Sequence, residues 1–169
     1  MQHSAMPSAC AHALSHRILI LMMLAVLLSA CSVTTRQIIG ATEHVTIEEA
    51  GMAFTARIDT GAASCSLHAT DIKRIAGPDR KQDRVSFMTA TANGDSRRIE
   101  TGIVDVVRIN SAEGSSLRYK VALTVNHSGR SKQVLFTLRD RSHMEYRLLL
   151  GRNWLSGDYI VDVAPSRHK

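Results

Sequence analysis

From residue 44 to residue 164 the chain is a succession of short runs in which apolar and polar residues alternate, and helical periodicity is almost absent. The runs are "HVTIEEA" (44–50), "MAFTARID" (52–59), "RVSFMTATA" (84–92), "RRIETGIVDVVRIN" (97–110), "SLRYKVALTVN" (116–126), "KQVLFTLRD" (132–140), "YRLLLG" (146–151) and "DYIVDVA" (158–164). A period of two puts every second side chain on one face of an extended chain. Gly51, Gly77-Pro78-Asp79, Asn93-Gly94-Asp95, Glu113-Gly114 and Ser128-Gly129 supply turn chemistry between the runs. Close-spaced short strands of this kind predict an all-β domain, a barrel or a sandwich. Two short helices are expected within it, over 69–76 ("ATDIKRIA") and over 151–157 ("GRNWLSG"), and Gly102 inside the longest run predicts a bend or bulge.

Ahead of this domain, a polar start ends at His16-Arg17 and is followed by "ILILMMLAVLLSA" (18–30) and Cys31. The apolar run is short for a transmembrane span and reads as an export signal. Its ending, Leu28-Ser29-Ala30-Cys31, resembles the lipobox of bacterial lipoproteins, which implies cleavage before Cys31 and acylation of that cysteine. An ordinary secretory signal or an uncleaved anchor is the alternative. Ser32, where an Asp would suggest retention at the inner membrane, points to an outer-membrane anchor facing the periplasm. The chain is therefore divided into a signal (1–30), a lipidated cysteine and tether (31–37) and one domain (38–169). That length suffices for one hydrophobic core and not for two.

Of three cysteines, Cys10 leaves with the signal and Cys31 carries lipid, so Cys65 has no partner for an internal disulfide and reads as a small buried hydrophobe. The net charge of +6 comes from scattered basic residues, and aromatics make up 4% of the chain. Nucleic-acid binding needs a concentrated basic face with stacking groups, so it is excluded; attraction to anionic headgroups or cell-wall polymers is a milder consequence.

Asp59 stands in "ARIDTGAASCSLHA", at the end of a strand-like run and before a sharp turn. By itself an Asp-Thr-Gly triplet starts a turn as readily as it does chemistry. A second element changes its meaning. "LLLGRNWL" (148–155) offers a buried strand, a glycine and a short helix. The pair "DTGA" and "LLGRNWL" resembles the retropepsins, whose catalytic Asp-Thr-Gly-Ala loop is backed by a hydrophobic-Gly-Arg-Asn segment. Within that group, "RIDTGAASCSLHA", "TLRDRSHMEYRLLLGRNWL" and "YIVDVA" look like the RimK-associated bacterial family labelled ATP-dependent zinc proteases. That similarity runs from about residue 38 to residue 164.

The resemblance implies a retropepsin-like barrel with Asp59 catalytic. Thr60 would bond across a two-fold axis, Gly61 would present its backbone, and Ala62 would complete the loop. Leu150 and Gly151 would support the loop from behind, and Arg152 would begin the helix as a buried salt-bridge former. Here the chain departs from the retroviral pattern: Ala63 stands where those enzymes place an Asp for that arginine, so Arg152 is expected to turn to Asp162 or Asp140. A flap over the site is expected at 110–116, with Ala112, Glu113 and Gly114 at its tip and Arg118 beyond; the competing hairpin is 91–96. In "DRSHMEYR" (140–147), Arg141 and Ser142 would touch substrate or form a structural turn. Trp154 reads as a plug of the core or of a dimer interface.

No cofactor is expected. The histidines at 44, 68, 127, 143 and 168 are dispersed, His-Glu-x-x-His is absent, and the nearest approach to a ligand pair is His68 with Asp71. No glycine-rich phosphate loop occurs. Aspartic-peptidase chemistry uses two carboxylates sharing a proton, so one Asp-Thr-Gly per chain requires a homodimer. The reading is thus a lipid-anchored aspartic peptidase acting on a peptide or isopeptide bond. The alternatives are a non-catalytic binding or regulatory module on the same fold and, third, a zinc-dependent hydrolase.

Overall fold

The computed structural model describes residues 35–111 and 114–164, with the side chains of 109–111 and 114 left aside. The expected signal, Cys31 and the expected flap-tip residues Ala112 and Glu113 lie outside the described residues. The strands are β1 (Gln37–Ile39), β2 (Thr42–Ile47), β3 (Met52–Ile58), β4 (Cys65–His68), β5 (Thr70–Ile75), β6 (Arg84–Ala90), β7 (Ser96–Ser111), β8 (Gly114–His127), β9 (Arg130–Arg139), β10 (Leu148–Leu150) and β11 (Tyr159–Val161). A 3-10 turn (Arg80–Gln82) precedes β6, and one α-helical turn, α1 (Arg152–Leu155), follows β10. The fold is all-β, as expected, and among the described residues one short α-helix forms, at the expected place after the Leu148 strand.

Nine strands pair in the order β2-β3-β10-β4-β9-β8-β7-β6-β5, and β2 also pairs with β8 through Thr46 to Asn126 and Ile47 to Val125. That extra pairing closes β2, β3, β10, β4, β9 and β8 into a ring. β7, β6 and β5 continue beyond it as an open sheet. β7 serves both parts: its first half pairs with β6, its second half with β8, and the register shifts between Ile103 and Asp105, next to Gly102. β1 and β11 form a separate parallel pair.

Alternation fills the core. On β3, Met52, Phe54, Ala56 and Ile58 are buried while the residues between them face solvent. Val45 and Ile47 on β2, and Val121, Leu123 and Val125 on β8, repeat the pattern. Burying one such side chain stabilises the fold by about 1.5–3 kcal/mol. The turn between β2 and β3 uses Gly51 at φ 60°, the left-handed region where a side chain is strained.

The helix expected over 69–76 does not form. Thr70 to Ile75 is β5, antiparallel to β6, with a bulge between Thr70 and Lys73 and with Asp71 at φ 46°. Its apolar residues Ile72 and Ile75 stay partly exposed, so no packed helical face exists to favour a helix, and the free edge of β6 captures the segment instead.

Candidate active site

The site starts from a parallel pairing. β10 lies between β3 and β4, with Leu148 opposite Ala56 and Leu150 opposite Ile58. The next residue, Asp59, donates its N–H to Leu150 O at 3.0 Å, which ends β3 with the Asp59 loop directly beside Gly151. The loop then folds on its own carboxylate: Oδ1 accepts from Gly61 N–H at 2.9 Å and from Ala62 N–H at 3.1 Å. A Cβ on Gly61 would stand 3.2 Å from that oxygen, so glycine allows the close approach. Among the described residues none bonds Asp59 Oδ2. Asp59 and Ala62 are half-buried, and Thr60 and Gly61 are exposed.

Gly151 passes so close behind the loop that a Cβ there would lie 2.7 Å from Ser64 O, 2.8 Å from Ser64 C and 2.9 Å from Ala62 O. All three are backbone atoms, which cannot step aside. Arg152 donates its N–H to Ala62 O at 2.9 Å, and its Nη1 reaches Thr60 O at 3.2 Å and Gly61 O at 2.6 Å. This corrects the expected buried salt bridge: Arg152 is exposed and bonds loop carbonyls, not Asp162 or Asp140. With Ala63 in place of an aspartate, the carbonyls are the acceptors within its reach.

Asn153 and Cys65 complete the support, and sequence reasoning gave neither a role in it. Asn153 Oδ1 accepts from Cys65 N–H at 3.0 Å and from the Cys65 thiol at 3.1 Å, while its Nδ2 donates to Leu135 O at 2.8 Å. Cys65 Sγ in turn accepts from Gly151 N–H at 3.3 Å. Burial pushes the Cys65 thiol up to about 12, so it stays protonated and serves as a packed, hydrogen-bonded group. Trp154 is fully buried, stacked on Tyr159 at 4.1 Å and edge-on to His127 at 5.7 Å. It fills the core, one of the two places foreseen for it.

The segment 140–147 packs against the end of β4, where His68 N–H donates to Arg147 O at 2.8 Å. Asp140 Oδ1 accepts from Ser142 N–H at 2.8 Å and from its hydroxyl at 2.6 Å, an Asp-Ser turn that makes Ser142 structural. Arg141 is buried; its Nε donates to Tyr146 O at 2.9 Å, and its carbonyl accepts from Arg147 Nη1 at 2.6 Å. Burial and then the charges of Arg139 and Arg118 hold the Arg141 guanidinium below its usual range, whereas the Asp59 carboxylate works to keep it charged. Arg118 of β8 and Arg139 of β9 therefore lie near Arg141, whose guanidinium also feels the Asp59 carboxylate.

His68 does not pair with Asp71, which bonds Arg98 and Lys73. Its Nδ1 accepts from Arg141 N–H at 3.0 Å instead. Among the described residues no three His, Cys, Asp or Glu side chains converge as metal ligands. Of the three flap-tip residues, only the backbone of Gly114 is described, opening β8 opposite Ser111.

A half-buried carboxylate with one oxygen held by backbone N–H groups and the other open to a reacting group suits general acid–base chemistry on water and a carbonyl. Comparison with known proteins gives the chain its family. A probable alpha-L-glutamate ligase of Shewanella pealeana is 34% identical over 136 residues, which cover 76% of this chain and 29% of that protein. One of Desulfotalea psychrophila is 29% identical over 134 residues, with 76% and 28% covered. The chain thus spans less than a third of the length of these curated relatives. The crystal structure of Lpg0085 from Legionella pneumophila, a protein of unknown function, superimposes with a TM-score of 0.67 at 28% identity, covering 78% of this chain and 97% of that one. The model of the RimB-like family, described as retropepsin-like aspartic endopeptidase RimB, matches residues 38–169. With the Asp59 loop and its Gly-Arg-Asn support in place, this chain belongs to the RimB-like family of retropepsin-like aspartic endopeptidases.

Proposed function

We propose that the chain is a lipid-anchored, homodimeric aspartic endopeptidase of the bacterial envelope, hydrolysing a peptide or isopeptide bond in a glutamate-rich substrate. The observation that carries the reading is the Asp59 carboxylate, fixed on Oδ1 by Gly61 and Ala62 and left unbonded on Oδ2 by the described residues. One such carboxylate per chain does half of the work, so a second copy supplies the other. With two carboxylates a few ångström apart, one ionises and its neighbour keeps the proton. The ionised Asp59 takes a proton from water as the oxygen adds to the carbonyl carbon, and the protonated one donates to the carbonyl oxygen. Collapse of the tetrahedral adduct, with a proton passed to the leaving nitrogen, breaks the C–N bond and yields an acid and an amine.

The terminal pair β1–β11 supports dimerisation. Ile38 and Ile160 are register partners and both exposed, at 68% and 50%, which gives a second copy an apolar strip beside the strand edges. Arg141, on which the Asp59 carboxylate acts, and the Arg118 and Arg139 charges near it favour acidic side chains in the substrate, and the relatives named as glutamate ligases point the same way. The finer kinship with proteins labelled ATP-dependent zinc proteases enters as a label only: the chemistry proposed here runs through carboxylates.

The test uses the full chain and a quenched fluorescent peptide containing consecutive glutamates. Cleavage that is blocked by pepstatin-like inhibitors, unaffected by chelators and lost in Asp59→Asn, in a protein that sediments as a dimer, is the expected outcome. A monomer that binds the peptide without cleaving it would favour the non-catalytic module. Chelator-sensitive cleavage that survives Asp59→Asn would favour the zinc hydrolase.

A further inference from the structure

His68 is a buried titratable side chain that the chemistry above does not use. It ends β4 at 4% exposure, with its N–H donating to Arg147 O at 2.8 Å and its Cα in register with Arg139 of β9. Its ring reaches the 140–147 segment through Nδ1, which accepts the Arg141 N–H at 3.0 Å. An imidazole nitrogen that accepts an N–H carries no proton, so the ring is neutral with its proton on Nε2. The 3.7 Å approach of Asp140 Oδ1 to the same nitrogen is then acceptor against acceptor and not an ion pair; that oxygen already serves Ser142.

Arg141 is thereby held at three points: its N–H by His68, its carbonyl by Arg147 and its Nε by Tyr146 O. It is 7% exposed, and the Asp59 carboxylate is among the charges that act on its guanidinium. We propose that His68 is a positioning residue of the active site: as a neutral acceptor it fixes Arg141 and the 140–147 segment, and its protonation releases that segment and weakens substrate binding in acid. The catalytic consequence rests on the peptidase reading above; the hydrogen bond between His68 and Arg141 does not.

Protonation turns Nδ1 from acceptor to donor, so two N–H groups would face each other in a buried place, a cost that the loop relieves by moving. The charged groups around the ring are Arg147, Arg141 and Arg139, which oppose a positive imidazole, and Asp140, which favours one. Burial first, then Arg147, hold the His68 ring below its ordinary range against the pull of Asp140. The neutral state is therefore the resting one, and the transition falls on the acid side of about 6.5.

The experiment follows kcat and KM of the full chain on the glutamate peptide from about pH 8 to about pH 5. KM is expected to rise in acid for the wild type. His68→Asn places an amide oxygen near the Nδ1 position, where it accepts the Arg141 N–H without titrating, and is expected to keep the neutral-pH KM while losing its rise in acid. His68→Leu removes the acceptor and is expected to raise KM about 10-fold at every pH with kcat little changed. A wild-type acid rise retained in His68→Asn, or a wild-type KM in folded His68→Leu, would overturn the proposal. A second measurement stands apart from hydrolysis. In Asp59→Asn protein, NMR titration should show the Arg141 amide and the His68 ring moving with one midpoint, and independent midpoints would refute the coupling even if the peptidase reading itself had failed.

Discussion

Two aspartates in this chain accept backbone N–H groups from glycine-containing turns, and each has an arginine in attendance. Asp83, at the mouth of β6, takes Gly77 N–H on Oδ1 at 3.0 Å and both Nε and Nη2 of Arg74 on Oδ2, at 2.9 and 2.6 Å. Asp59 takes Gly61 and Ala62 on Oδ1, but its arginine, Arg152, bonds the carbonyls of Thr60 and Gly61 and leaves the carboxylate alone. The same residue types make a clamp in one place and, in the other, leave one carboxylate oxygen without a partner among the described residues. The difference lies in which atoms the arginine takes: a fork on the carboxylate fixes its charge and fills its acceptor sites, while a grip on the loop backbone holds the geometry and keeps the second oxygen available.

The sharpest break between the two is expected from Asn substitutions. Asp59→Asn keeps an oxygen for Gly61 and Ala62, so the fold should stand while peptide cleavage falls about 1,000-fold or more; Asp83→Asn should leave turnover intact and lower the melting temperature.

Next come the crowded glycines. Gly151→Ala would drive a Cβ into Ser64 and Ala62, and Gly77→Ala would meet Gln82 O at 2.5 Å, both against backbone. Each should cost about 3 kcal/mol in urea unfolding, and Gly151→Ala alone should also reduce kcat, because the displaced atoms belong to the Asp59 loop.

Arg152→Ala should lower kcat about 10-fold through a loosened loop with little change in stability, whereas Arg74→Ala should do the reverse. Equal effects of the two on turnover would erase the distinction.

Acid separates the clamps further. Gly77 N–H and then Arg74 hold the Asp83 carboxyl below its ordinary range, so its contribution to stability is present above about pH 4 and is lost as pH falls through the folded value. His68, also held below its ordinary value, is neutral when folded. The unfolded chain binds its proton first, and stability drops as pH falls below about 6.5. Denaturation followed across pH should show both windows, the upper one absent in His68→Asn and the lower one reduced in Asp83→Asn.

The smallest effect concerns Cys65. With its thiol pushed up to about 12, alkylation should await global unfolding, and Cys65→Ser, which retains a donor toward Asn153 and an acceptor for Gly151, should be mild.

Much of the molecule could be read before its structure. The hairpin of β2 and β3 declared itself by alternation around Gly51, and "DTGA" with "LLGRNWL" named the loop and its support. β4 escaped because "CSLH" is buried on both faces, so it has no alternation of burial to betray it. β5 was misread as helix because its partner β6 is not part of its local sequence. Arg152 was given carboxylate partners because charge suggests charge; carbonyl acceptors are carried by every residue and leave no mark in a sequence. For the same reason the bond from Arg141 N–H to His68 was invisible, being a backbone donor on a residue 73 positions away.

The sequence by itself determined the period-two pattern, the turns, the candidate carboxylate and the glycine that must sit behind it. Those depend on side-chain size, polarity and backbone freedom, which are properties of single residues. Only the tertiary structure decided that β10 slides between β3 and β4, that Arg152 holds the loop and spares the carboxylate, and that His68 meets Arg141. Strand pairing joins N–H and C=O groups that are alike at nearly every position, so the choice among pairings is made by the burial of the whole set of strands at once.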